Sequence, residues 1–324
     1  MTVTEAQFSF VDCQPETEDF LSAVLDGLAR PQKTLPCKFL YDERGARLFD
    51  QICRLPEYYP TRAEHSILRE RGAAIATLAG PGATVVEFGS GSGVKTNALL
   101  DALDEPAAYV AIDIARSALL AATRTMARER PGLEVVAVCA DYGTGMSELP
   151  IESAPDGPRL GLFLGSTIGN FEREEAVDFL RHAGALLGEG NALLVGADLW
   201  KDRAVLEAAY DDAQGVTADF NLNLLRRINR ELDGNFDLDA FRHEARCIDE
   251  TQRVEMHLVS ERDQQAVVAG NRFSFERGET IHTECSHKYT IEGFQALARE
   301  GGFTPRKAWL DRDERFSLHF LEVA

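Results

Sequence analysis

The sequence of 324 residues has no C-x-x-C pair, and its six cysteines (Cys13, Cys37, Cys53, Cys139, Cys247 and Cys285) are scattered without a histidine at zinc spacing. That pattern excludes a zinc-finger staple, predicts no bound metal, and fits reduced thiols in the cytoplasm. There is no run of about 18 apolar residues, so no membrane-spanning helix is expected. Roughly the first thirty residues also lack the basic start and apolar stretch of an export signal. Positive charge is in short supply: 34 Lys and Arg against 53 Asp and Glu leave a formal net charge of −19. A field of that sign repels nucleic acid and anionic lipid at long range, which removes both from the expected partners and leaves a small molecule. The one dense basic stretch, Arg226, Arg227 and Arg230, has the helical spacing of a solvated face. Internal repeats and low-complexity tracts are absent too, which excludes a solenoid.

With 44% hydrophobic residues the chain can bury a large core, and its periodicity marks three regions. An amphipathic helix near Phe20 to Leu28 is followed by a Pro-punctuated aromatic stretch from Pro36 to Pro60, too irregular to read as core helix. Thr61 and Glu64 have capping-box spacing and predict a helix through Ile67, Ala74 and Leu78 that ends at Gly80. Apolar strands at 83–88, 108–112, 133–139, 160–164 and 192–197 then alternate with helices at 96–103, 115–128 and 174–187. Near-continuous apolar strands between helices predict a doubly wound, Rossmann-like α/β sheet covered on both faces. After Trp200, two helices (202–211 and 218–232) give way to strands with period-2 alternation, one through Val254, Met256 and Leu258 and one over 279–289. An inserted antiparallel sheet is expected there, and the tail, a helix at 291–299 and strands around Trp309 and 316–321, rejoins the first sheet. The expected organisation is a first domain of residues 63–200 and 289–324, and a second, α+β domain of residues 1–62 and 201–288.

Val85 to Phe88 form a buried strand that runs directly into Gly89-Ser90-Gly91-Ser92-Gly93 ahead of a helix. Glycines let a backbone approach a ligand closely, and a helix start offers free N–H groups. A dinucleotide fingerprint counted from Gly89 and a phosphate loop ending at Lys95-Thr96 both require glycine at position 94, which is Val94. NAD, FAD and nucleoside triphosphates are weakened accordingly. Asp113 ends the next strand, where a carboxylate commonly accepts both ribose hydroxyls, and Asp141 and Tyr142 end the third, placed to hold an adenine amine and cover its ring. The combination fits S-adenosylmethionine better than a dinucleotide.

Longer segments are more specific: Lys38-Phe39-Leu40-Tyr41-Asp42, Leu48-Phe49-Asp50-Gln51-Ile52, Leu55-Pro56-Glu57-Tyr58-Tyr59-Pro60-Thr61-Arg62, Phe163-Leu164-Gly165-Ser166-Thr167-Ile168-Gly169-Asn170, Ala209-Tyr210-Asp211-Asp212 and Arg253-Val254-Glu255-Met256. In these the chain resembles, over nearly its whole length, the histidine-specific α-N-methyltransferases of ergothioneine biosynthesis. Those enzymes use S-adenosylmethionine to convert histidine to its trimethylated betaine, hercynine. The resemblance implies a methyltransferase domain and a substrate domain with the amino acid between them. It implies Gly89, Lys95, Asp113, Asp141 and Tyr142 at the cofactor, and Tyr41, Gly165 and Asn170 around the α-amine. Asn170 and Tyr210 would take the carboxylate, with Tyr58 toward the imidazole side. Glu284 and Ser286 would bond the imidazole in a pocket lined by Met256. The sequence departs from the family at Leu40, where an aromatic is common, at Cys285 between the two specificity residues, and at Tyr142, where phenylalanine also occurs.

The residues themselves support one sharp point: Glu284 and Ser286 lie two apart on a predicted strand and share a face. A carboxylate facing an imidazole N–H makes a charge-assisted bond, and such a site rejects phenyl or indole analogues because its polar groups are left unpaired. His257, His282 and His287 are expected to be surface or substrate-adjacent rather than metal ligands. In-line attack on a sulfonium needs an amine lone pair held in position, and Tyr41, Tyr58 and Asn170 are the candidates for holding it. The expected activity is trimethylation of L-histidine by a cytoplasmic monomer. The alternatives are α-N-methylation of tryptophan, tyrosine or a modified histidine, an NAD-dependent enzyme, or a cofactor-binding regulator without turnover.

Overall fold

The computed structural model describes residues 2–5, 8–13, 19–91, 93–142 and 157–324. Strands β1 (Thr2–Glu5) and β2 (Phe8–Asp12) precede α1 (Phe20–Ala29), β3 (Lys33–Thr34), α2 (Glu43–Ile52) and α3 (Tyr59–Ala79). Strand–helix alternation follows in β4 (Thr84–Phe88), α4 (Val94–Leu100), β5 (Ala108–Asp113), α5 (Arg116–Glu129), β6 (Glu134–Cys139), β7 (Arg159–Phe163), α6 (Arg173–Leu187) and β8 (Ala192–Asp198). Helices α7 (Arg203–Tyr210) and α8 (Val216–Glu231) lead into β9 (Phe241–Ile248), β10 (Arg253–Ser260), β11 (Gln264–Val268), β12 (Asn271–Phe275) and β13 (Thr280–His287). The chain finishes with α9 (Ile291–Glu300), β14 (Phe303–Leu310) and β15 (Phe316–Val323). Two compact units result, one of Met1–Glu16, Arg62–Leu199 and Tyr289–Ala324, the other of Thr17–Thr61 and Trp200–Lys288.

The first unit is a doubly wound sheet in the order β1-β2-β6-β5-β4-β7-β8-β15-β14, with β2, β6, β5, β4, β7 and β8 parallel. Alternate side chains of its buried strands feed two separate cores. Val85, Tyr109, Ala111 and Val135 pack with Ile67, Leu99 and Leu119 from α3, α4 and α5, while Val86, Phe88, Val110 and Val136 pack with Phe179, Leu180 and Phe294 from α6 and α9. Two buried faces explain why these strands read as continuous apolar runs. The hairpin of β14 and β15 is antiparallel and adds to the β8 edge.

The first residues depart from the expected grouping with 17–62. Strand β2 pairs in parallel with β6, Phe8 opposite Val135 and Phe10 opposite Ala137, and both phenylalanines are buried in the first unit's core. The predicted capping box is also corrected. Helix α3 begins at Tyr59, so Glu64 lies inside it and is fully buried, and the core-facing side is Ala63, Ile67, Leu68, Ile75 and Ala79 rather than Ala74 and Leu78.

The second unit holds a four-stranded sheet in the order β3-β13-β10-β9 and the separate hairpin β11-β12. One core unites Val254, Met256, Leu258 and Ile281 of this sheet with Leu206, Phe220, Leu224 and Ile228 of α7 and α8 and with Leu48 and Ile52 of α2. The stretch around Leu48 to Ile52, expected to be irregular, is the regular helix α2, capped by Asp42 accepting from the Gly45 amide at 2.8 Å. Register in the β10/β13 pair shifts at Thr283: Met256 faces Glu284, but His257 faces His282. The Thr283 hydroxyl donates to the Met256 carbonyl at 3.0 Å, which satisfies an acceptor beside the irregularity. Among the described residues, no helix is long and apolar enough to cross a membrane.

Candidate active site

In the first unit the strand order reverses between β4 and β7, the place where open α/β sheets bind ligands outside their carboxyl ends. Gly89, Gly91 and Gly93 follow β4 with φ of 76°, 48° and 70°, the left-handed region that glycine enters without strain. Tyr142 lies over the first of them: a Cβ on Gly89 would stand 3.4 Å from the Tyr142 hydroxyl. The Tyr142 ring is held edge-on by Phe163 at 5.8 Å. At the end of β5, Asp113 accepts from the Ala115 amide at 2.9 Å, and burial raises its pKa against the opposing pull of backbone amides that include those of Gly91 and Ser90. Asp141 is half-buried after β6. The Ser90 hydroxyl is buried with no hydrogen-bond partner among the described residues.

Beside these groups, the Lys95 ammonium at the start of α4 is ion-paired with Glu64. Glu64 also accepts from the Gly165 amide with both oxygens, at 2.9 and 3.0 Å, so one buried carboxylate ties α3, α4 and the end of β7 together. Gly165 has φ of 81° and leads through Ser166 into a 3-10 turn, Thr167–Asn170, that places half-buried Asn170 at its end. The Ser166 hydroxyl accepts from the Asp198 amide at 2.9 Å, fixing this loop to β8.

The second unit assembles the remaining candidates. Ring contacts run from Tyr41 to Phe49 at 5.4 Å, from Phe49 to Tyr58 at 6.2 Å and from Tyr58 to Tyr210 at 6.4 Å. Tyr58 is buried, and burial followed by the nearby Tyr210 pushes its hydroxyl well above the usual phenol range. On β13, Glu284 and Ser286 face Met256 and Val254 across the ladder and share their side of the sheet. Met256 and Ser286 are buried. The Ser286 hydroxyl is 2.9 Å from the Tyr210 hydroxyl, and the buried Lys288 ammonium donates to both at 2.8 Å. Behind Tyr210, His243 contacts its carbonyl at 2.8 Å and Asn221 at 2.9 Å, so α7, α8 and β9 jointly hold that residue. Glu284 Oε2 is buried without a hydrogen-bond partner among the described residues.

A family model for histidine-specific, SAM-dependent methyltransferases matches residues 20–323. The chain belongs to that family. A histidine N-alpha-methyltransferase of Mycobacterium tuberculosis is 43% identical over 300 residues, covering 91% of this chain and 92% of its own. Another, from Mycolicibacterium smegmatis, is 41% identical over 323 residues and covers 98% of each chain. The L-tryptophan methyltransferase trpM of Psilocybe serbica is 28% identical over 340 residues, covering 95% and 94%.

The first unit of this methyltransferase suits the family's cofactor. Positive-φ glycines leave the backbone open, the ring of Tyr142 lies over Gly89, and the orphaned Ser90 hydroxyl and Asp113 offer polar groups to an adenosyl ligand. Glu64 was not among the residues expected here. Its partners lie 31 and 101 positions away, and no local pattern announces them. A Cβ on Gly196 would stand 1.9 Å from Glu64 Oε1. Gly196→Ala is therefore expected to displace the carboxylate and lower stability by about 2–3 kcal/mol. Urea unfolding checks this, and an unchanged midpoint would show the contact to be relaxed at little cost.

The second unit holds two further surprises. Lys288 went unremarked in the sequence, and Glu255, His257 and His282 come together, their donor atoms within 4.8 Å of one another. That carboxylate is already engaged, by Arg253 at 2.5 Å and His257 at 2.9 Å, and the two imidazoles lie only 30° from parallel at 5.1 Å.

Burial pushes Glu284 up to about 7, with Lys288 drawing it down. The folded protein thus keeps a proton that the unfolded chain releases near the ordinary value of about 4.3, so stability falls as pH rises from about 4.5 to about 7 and stays lower above. Glu284→Gln has no charge to bury. It is expected to melt several degrees above the parent protein at about pH 8 and level with it near pH 4.5. Identical melting at both pH values would place Glu284 in a solvated environment.

Proposed function

We propose that the methyltransferase transfers methyl groups from S-adenosylmethionine to the α-amine of L-histidine until the nitrogen carries three, giving hercynine, the first step of ergothioneine biosynthesis. The observation that carries this reading is the pair on β13: a buried Glu284 oxygen without a partner, and Ser286 two residues on, on the same face. An imidazole edge is the ligand group that such a pair suits, since it meets a carboxylate with an N–H and a hydroxyl with its second nitrogen. Met256, opposite Glu284, supplies an apolar wall for the ring.

The remaining roles follow the chemistry of each group. Gly89, Lys95, Asp113, Asp141 and Tyr142 hold the cofactor, Asp113 on the ribose hydroxyls and Tyr142 over the ring. When bound, it supplies a methyl group on a positively charged sulfur. Gly165 and Tyr41 surround the α-amine, Asn170 and Tyr210 take the carboxylate, and Tyr58 lies toward the imidazole. These groups orient the amine, which attacks through its free lone pair, and alignment alone can lower a barrier by several kcal/mol. Methylation stops when the nitrogen has no lone pair left. Six cysteines outside any disulfide and the net charge of −19 support a cytoplasmic monomer acting on a free amino acid.

Incubation with S-adenosylmethionine and histidine, tryptophan or tyrosine in turn, followed by mass analysis, tests the proposal. A gain of three methyl groups on histidine is expected. Histidine unchanged, or tryptophan or tyrosine modified in preference, would overturn it.

A further inference from the structure

We infer that Glu64 is a positioning residue whose charge neutralises Lys95, so that a lysine can stand in the site of a positively charged cofactor without repelling it. The inference rests on the cofactor placement proposed above and deepens it, by naming what keeps the site open to S-adenosylmethionine as well as to its demethylated product. Lys95 is the second residue of α4, directly behind the positive-φ glycines that follow β4. Gly165, whose amide donates to both Glu64 oxygens, follows β7, and a Cβ there would stand 3.5 Å from Lys95 Nζ. The carboxylate and the ammonium therefore span the two strand ends between which the sheet order reverses. Of the Lys95 side chain 24% is exposed, and of the Glu64 side chain none, so the pair opens outward at its cationic end.

The chemistry follows from counting charge. S-adenosylmethionine carries a sulfonium, an ammonium and a carboxylate, one positive charge in excess, whereas losing the methyl group leaves S-adenosylhomocysteine neutral overall. A lone ammonium in a partly dry cleft attracts the carboxylate of either ligand but repels the sulfonium, and at low effective dielectric that repulsion reaches across several ångströms. With Glu64 beside it, Lys95 still has N–H groups to donate, while the pair as a whole carries no net charge. The Gly165 amide is a neutral donor, so it anchors the carboxylate without cancelling the charge that Lys95 needs. Gly196 on β8 confines the same group from another side, since a Cβ there would stand 1.9 Å from Glu64 Oε1. A buried carboxylate that served the fold alone would support the two ligands equally.

Glu64→Gln keeps an oxygen for the Gly165 amide and removes the charge. Calorimetry should show S-adenosylmethionine losing at least about tenfold more affinity than S-adenosylhomocysteine. Adding Lys95→Met to Glu64→Gln should weaken both ligands yet return their ratio to within about threefold of the unmodified protein's. Should Glu64→Gln melt too low to assay, Lys95→Met alone reads the pair from its other end: the uncovered carboxylate attracts the sulfonium, and the ratio shifts toward S-adenosylmethionine. Equal losses of both ligands in Glu64→Gln, a ratio that the second substitution fails to restore, or an unshifted ratio where Lys95→Met stands in, would overturn the inference. An unmodified protein that binds neither ligand, or a Lys95→Met variant that binds both undiminished, would instead sink the placement of the cofactor at Lys95.

Discussion

Glu284→Ala is expected to lower kcat/KM for histidine by about a thousandfold or more, while any slow turnover of tryptophan changes by less than about threefold. The asymmetry follows from what the carboxylate does in each case. Toward an imidazole it makes a charge-assisted bond in a dry setting, and losing it leaves the ring N–H unpaired against apolar Met256. Toward an indole it is an obstacle that must be desolvated, so its removal costs nothing or helps. Affinity for S-adenosylhomocysteine should not move, because the residues proposed to hold the cofactor all lie in the other unit. Steady-state kinetics on both amino acids decide the matter, and equal losses for both would remove Glu284 from specificity. Glu284→Gln keeps an acceptor oxygen without the charge and should fall between, by about ten- to a hundredfold.

Gly89→Val carries the second large effect, a loss of at least about a hundredfold in S-adenosylhomocysteine affinity. Two causes add. The backbone at 89 has φ of 76°, which a β-branched residue adopts only under strain, and even the first added carbon would stand 3.4 Å from the Tyr142 hydroxyl. Such a side chain fills the space through which the cofactor approaches the main chain. Gly91→Ala is the control. Its φ of 48° is also positive, but no atom lies within 4 Å of the added Cβ, so it should lose less than about tenfold. Calorimetry separates the two, and equal losses would trace the effect to backbone strain alone.

Legibility in the sequence tracked how local each signal was. The run from Val85 through Gly93 announced a buried strand, a turn and a helix start within nine residues, and all three are present. Glu284 and Ser286 were readable because strand periodicity is two. Strand β2 escapes notice in the sequence although Phe8 and Phe10 alternate with Ser9, since five residues hold too few alternations to stand out. Helix α2 was obscured by its polar side, which carries Glu43, Arg47 and Asp50 beside buried Leu48 and Ile52. Glu64 and Lys288 share a different obstacle. A buried charge looks like a surface charge until its partners are known, and Gly165 and Tyr210 lie far along the chain.

The extra residue at Thr283 has a consequence for how this protein can change. Ile281 and Glu284 are three positions apart, yet they lie opposite Leu258 and Met256, which point the same way. Strict alternation would send one of the two outward. Selectivity is thus sensitive to arithmetic as much as to chemistry: losing the codon at 283 would set Ile281 and Glu284 two apart and keep both facing inward, whereas losing the one at 285 would put Glu284 and Ser286 on opposite faces. Lineages that drift in preference by swapping side chains can do so gradually, whereas a ribbon shortened between the two recognition residues would forfeit the pocket in a single step.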